Sequence, residues 1–212
     1  MTAMTDEFRK PVFRPSDAFD RLFASEDPAE VSRAAHATAA TLLARVRESE
    51  DPEIVDRLIG FATTHGIDDI AQLWSRMPAK SLPGALWRLY LMQVSIHQDP
   101  QTASLLYERG RNELRTVDAV VAGAPAPASP EELVGLIDTI LRGAFTGDFA
   151  VALDRTASFC RVQASGATHI ADDYEPTEPE RATGLTSRAN RLSAFAEDLT
   201  LAARLWRRDD LV

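Results

Sequence analysis

Cysteine is nearly absent from this chain: Cys160 is the single one among 212 residues. One thiol cannot form an internal disulfide, and such usage fits a reducing cytoplasm, which is the expected location. Lysine is confined to Lys10 and Lys80, and asparagine to Asn112 and Asn190. Basic charge is therefore carried by arginine; together with the abundant alanine this reads as GC-rich codon usage, not as a nucleic-acid surface. Glycine is scarce, at 10 residues. The chain has no glycine-rich phosphate loop, no Gly-x-Ser-x-Gly elbow and no CxxC pair, so a backbone cradle for phosphate is not expected. Long apolar runs are missing as well. The longest, Leu82 to Ile96, is interrupted by Pro83, Arg88, Gln93 and Ser95, too short and too polar for a bilayer span. Met1 to Ser16 lacks the apolar segment of a secretory signal.

Positive charge is in deficit. The chain holds 23 Lys+Arg against 32 Asp+Glu, a net charge of −9. Both halves are acidic, so phosphate backbones are repelled and no nucleic-acid partner is expected. The one basic cluster, Arg204, Arg207 and Arg208, fits a helix C-terminus, where cations offset the dipole.

What is present is helix punctuation. Asp27-Pro28, Asp51-Pro52, Asp99-Pro100 and Ser129-Pro130 each put a capping side chain before a proline that needs no hydrogen-bond partner at the first helical position. Glu30 and Glu132 complete box-like starts at two of them. Apolar residues then recur at 3–4 spacings, as in Leu133, Ile137, Ile140 and Ala144, or Phe149, Leu153, Ala157 and Cys160. No strand alternation and no Asn-Gly hairpin turn competes with this pattern. The expected fold is all-α: a compact bundle of eight or nine helices built from antiparallel hairpins. A buried central helix over about 82–98 and a long C-terminal helix over about 185–208 complete it. The stripe Ala103, Leu106, Gly110, Leu114, Val117 and Val121 reads as one helix after Asp99.

Composition also suggests boundaries. Residues 1–15 read as a flexible arm and 16–121 as an N-terminal helical subdomain. Residues 122–129, AGAPAPAS, read as a Pro/Ala linker. Residues 130–212 supply helices that pack on the first part. Within them, 167–184 carries Asp172, Asp173, Glu175, Glu178 and Glu180 with Pro176 and Pro179, which predicts an acidic mobile loop.

Few residues stand out as chemical. Arg88 lies in the most apolar helix, where a guanidinium must find an anion. With Trp87, Tyr90 and His97 it predicts an anion-binding interhelical pocket, against the alternative of an ion pair to a neighbouring helix. Histidines 36, 65, 97 and 169 lack the Glu-x-x-His spacing of di-iron bundles. His65 with Asp68 and Asp69, and His169 with Asp172 and Asp173, are at most half-sites, so no metal or cofactor is expected. Cys160 lies on an apolar stripe, the setting of an inert thiol, and no catalytic residue is assigned. Leu185, Leu192, Leu199 and Trp206 alternate with Ala189, Ala196 and Ala203 in 4–3 steps. That row fits either its own bundle or a seam for self-association or an unknown protein partner.

The leading functional expectation is a non-catalytic helical interaction or regulatory protein. The alternative is a bundle, binding protein or enzyme, that takes a small anion near Arg88. A helical transcription regulator matches in size, but its basic recognition helix is replaced by Asp17, Asp20, Glu26, Asp27 and Glu30.

Overall fold

The computed structural model describes residues 27–48, 53, 73–114, 118–122 and 129–211. Seven helices lie among them: α1 (Pro28–Glu48), α2 (Leu82–Gln98), α3 (Pro100–Glu113), α4 (Asp118–Ala122), α5 (Pro130–Thr146), α6 (Phe149–Tyr174) and α7 (Pro179–Trp206). No strand occurs among the described residues. The chain is an all-α bundle with a long C-terminal helix pair. The expected arm at 1–15, the Asp51 start, His65 and the core of the Pro/Ala segment, 123–128, lie outside the described residues.

The helix starts form as the capping chemistry dictates. The Asp27 carboxylate accepts from the Ala29 amide at 3.0 Å, and the Asp99 carboxylate from Thr102 at 3.1 Å. Ser129 and Glu132 make a reciprocal capping box, both bonds at 3.2 Å. Asp148 accepts from the Ala150 and Val151 amides at 2.8 and 3.3 Å, which turns the chain from α5 directly into α6. Asp99 ends α2 and caps α3, so these two meet at a corner and pack little against each other.

The deepest element is α6, which packs against α7, α3, α4 and α5. Phe149, Leu153, Phe159, Cys160 and Val162 have no exposed surface. The α6–α7 pair is an antiparallel hairpin: Trp206, at the end of α7, stands edge-on to Phe149, at the start of α6, with ring centroids 4.9 Å apart. The expected central helix α2 is enclosed over its first residues, Leu82 to Leu86. Farther along it opens on one side, where Leu91 is 37% exposed.

Two sequence readings are corrected. The segment 167–184 is not a loop. Helix α6 runs through Tyr174 and α7 starts at Pro179, leaving 175–178 as the turn. Ala167 and Ala171 are buried, and so is Ala182. The acidic residues of the segment lie on exposed faces or in the turn. Charge density marked the solvent side of two helices, whose buried side is made of alanines too small to register as a stripe. Second, the row from Ala103 to Val121 is not one helix. Helix α3 ends at Glu113, and Leu114 takes extended backbone. The separate turn α4 is tied to α6 by Arg161 to Asp118 at 2.7 Å and by Arg155 to the Ala122 carbonyl at 3.2 Å.

Candidate functional site: a cleft between α2 and α7

The four residues expected to form a pocket do not converge. The Arg88 guanidinium holds Asp198 of α7 through Nε at 3.0 Å and Nη2 at 2.9 Å. It donates to the Gly84 carbonyl at 3.1 Å and lies over the Phe195 ring at 5.6 Å. Its anion is therefore internal, and Arg88 is a clamp between two helices. His97 turns to the opposite side of α2 and meets Asp138 of α5 at 2.9 Å. The same carboxylate oxygen accepts from the Gln93 amide at 2.8 Å. Trp87 and Tyr90 pack against each other with their rings tilted by 41° and centroids 5.6 Å apart, and both are half-buried.

The leucine row of α7 is likewise used within the bundle. Leu199 has no exposed surface and Leu192 is buried, as are Ala189, Ala196 and Ala203. Leu185 packs on a small second cluster with Leu106 and Ala167, and Trp206 covers Phe149. Leu192 and Leu199 of this row therefore serve the bundle core, while Leu185 and Trp206 keep part of their surface outside it. The alternating small residues of the row let α7 lie close along α6, so the complementary surface is on the same chain.

Cys160 is also removed from chemistry. It is fully buried, and burial pushes its thiol up to about 12 despite the Arg161 charge. No thiolate forms there near neutral pH. His36 and His169 place Nδ1 at 2.7 and 2.8 Å from the carbonyl oxygens one turn back, Ser32 and Ser165. Among the described residues no group of three His, Cys, Asp or Glu is placed to hold a metal. No described helix is long and apolar enough to cross a membrane.

A cleft does exist, one turn beyond Arg88. It has a volume of about 530 Å³ and lies between the open side of α2 and the adjoining face of α7. The two helices run antiparallel here: Arg88 faces Asp198 at one end, and Asp99 lies near Arg188 at the other. Leu91, Met92 and Val94 supply the apolar wall on α2, and Leu192 and Phe195 the wall on α7. Gln163 of α6 closes the base, 1% exposed, with its amide held by the Ala103 carbonyl at 3.0 Å. Ser95 and Gln98 are exposed on the α2 rim.

Charge on this cleft is unbalanced in an unusual direction for an acidic chain. Arg188 and Arg191 lie one turn apart on its α7 side. Neither makes an ion pair within 4 Å among the described residues, unlike Arg88, Arg161 and Arg207, each of which has a carboxylate. Like charges at this spacing repel. The one acid of the lining is Asp99. Hydrogen bonds from the Thr102 side chain and amide, with the Arg188 charge nearby, hold its carboxyl below the usual carboxylate range.

The sequence contained this site in a form easily passed over. Arg188, Arg191, Phe195 and Asp198 follow one another at 3–4 steps, a row parallel to the leucine stripe. On α2 and its C-cap, Arg88, Met92, Ser95 and Asp99 form the matching row. Only the pairing of α2 with α7, whose facing ends Asp99–Arg188 and Arg88–Asp198 lie 89 and 110 positions apart in the chain, reveals that the rows face each other. Comparison of the chain with protein-family models, with characterised proteins and with solved structures finds no match.

Proposed function

We propose that this protein is a non-catalytic binding bundle whose cleft between α2 and α7 takes a small amphipathic anion. The observation that carries this reading is the coincidence, in one cleft, of apolar walls with two arginines that make no ion pair within 4 Å among the described residues and outnumber the one acid of the lining. The volume lies in the range of small-molecule sites, about 300–1,000 Å³, and such sites pair apolar walls with a few fixed polar groups. Arginine suits the task because its fork matches an oxyanion geometrically and stays charged at all working pH values. A bound anion also relieves the repulsion between Arg188 and Arg191. The burial of Leu192 and Leu199 within the bundle favours this reading over a protein-partner seam along the Leu185–Trp206 row.

The experiment is calorimetric titration of the full chain with decanoate, kept below micelle-forming concentration. Saturable one-to-one binding is expected, weakened at least about tenfold by Arg188→Ala or Arg191→Ala, the loss of one charge-assisted contact. Both variants should keep the wild-type circular dichroism, because neither side chain packs in the core. Binding that is absent, or equally strong in both variants, overturns the proposal.

A further inference from the structure

The cleft carries three formal charges, and their balance defines what it accepts. Arg188 and Arg191 contribute two positive charges and Asp99 one negative, so the lining offers a net of one positive charge. Asp99 cannot be counted out as a protonated acid. Its carboxyl is kept ionised by Thr102 and by Arg188, and its geometry is fixed because it caps α3 at 3.1 Å. It therefore stands at the cleft mouth as a negative charge near neutral pH.

We infer that Asp99 is a specificity-determining residue that restricts the cleft to singly charged anions, so that its ligand is a monocarboxylate with an apolar body and not a phosphate monoester. This rests on the amphipathic-anion reading above. A carboxylate neutralises the lining. A phosphate monoester, close to doubly charged above its second pKa of about 6, would leave an uncompensated negative charge beside Asp99. The penalty is moderated by solvent, since Asp99 is exposed at the cleft mouth, but like charges near a protein surface still repel more strongly than in bulk water. The penalty also falls within a protein already at −9. The apolar body is required by the walls: Leu91, Val94 and Phe195 offer no hydrogen bond, and burial of methylenes there replaces exposed leucine surface.

The inference is tested by titrating decanoate and decyl phosphate, matched in chain length, at pH 8 into wild type, Asp99→Asn and Asp99→Ser. Asparagine and serine are helix caps equal to aspartate, so both variants keep the start of α3 while removing the charge. Wild type should bind decanoate at least about tenfold tighter than decyl phosphate, and in both variants that ratio should fall to near unity through tighter phosphate binding. Equal affinities in wild type, a preference for decyl phosphate, or a ratio unchanged in both variants overturns the role of Asp99 and leaves the cleft reading standing. Saturable binding of neither ligand to wild type overturns the cleft reading and this inference with it.

Discussion

Gly110 of α3 and Gly166 of α6 meet backbone to backbone. A Cβ placed on Gly110 would overlap the Val162 carbonyl oxygen, and one placed on Gly166 would overlap that of Leu106. Each would also stand 2.9 Å from the other glycine's amide nitrogen. The contact is reciprocal: each helix offers a glycine to the carbonyl one turn before the glycine of the other. Both residues lie in helices, so neither is there for unusual backbone angles. They are there because nothing larger than hydrogen fits the crossing. That crossing helps place the base of the cleft, since Gln163 reaches the Ala103 carbonyl beside it.

Gly110→Ala and Gly166→Ala should each lower the stability of the fold by about 3 kcal/mol or more, because the obstacle is backbone and the helices must part. Gly135→Ala is the control. Gly135 is in α5 with nothing within 4 Å of the added carbon, so the change should stabilise by about 0.5–1 kcal/mol through helix propensity. Urea denaturation of the three variants measures both signs. A neutral Gly110→Ala would mean that α3 and α6 do not cross where they are placed.

Leu199→Ala should cost about 3 kcal/mol, the sum of lost transfer energy and the cavity left between α7 and α6, since Leu199 is completely enclosed. The loss should not depend on protein concentration. A denaturation midpoint that shifts with concentration in wild type and not in the variant would instead make the leucine row an intermolecular seam.

Much of this architecture was legible because it depends on local chemistry. Ser129, Asp99 and Asp148 each supply an acceptor before a helical stripe, and each start forms where that acceptor lies. The C-terminal part of α7, from Leu185 to Trp206, could be read from its 4–3 row, though its start at Pro179 could not. Two things could not. Alanine is small and common on both exposed and buried faces, so Ala167, Ala171 and Ala182 gave no signal, and the acids between them made a helix look like a loop. The partner of Arg88 was also hidden: nothing local tells whether an arginine on an apolar helix meets a ligand or Asp198, 110 residues away. The same long-range pairing that removed Arg88 from the candidate site brought Arg188 and Arg191 into it.

Arg88 and Asp198 should behave as a structural pair separate from binding. Arg88→Ala should lose about 2 kcal/mol, combining the ion pair with the packing of the guanidinium over Phe195. A double-mutant cycle with Asp198→Ala should return a coupling of about 1 kcal/mol, the upper end for partly exposed pairs. The Arg88→Ala protein should still bind decanoate within about twofold of wild type, because two other arginines hold the anion. Loss of binding with retained fold would move the anion site back to Arg88.

Alkaline pH should weaken the fold in a way traceable to one thiol. Burial raises the Cys160 thiol from 9.0 to about 12, and burial likewise raises the Tyr107 phenol from 10.0 to about 12, opposed by the Arg111 charge. Both groups are neutral when protonated, so the folded state holds these protons more tightly than the unfolded chain. Their contribution is complete below the unfolded values and is lost as pH climbs through the interval up to the folded ones. Stability should therefore be unaffected by these groups up to about pH 9 and then fall by at most about 1.4 kcal/mol per pH unit for each group that titrates. Between about pH 9 and 10 the slope belongs to Cys160 alone, so Cys160→Ala should remove it there and roughly halve the steeper loss near pH 11, leaving the share of Tyr107. At pH 8 the native thiol should resist a disulfide reagent and react at once in urea. A native thiol that reacts rapidly, or a variant with the wild-type slope between pH 9 and 10, would place Cys160 at a surface where chemistry could reach it.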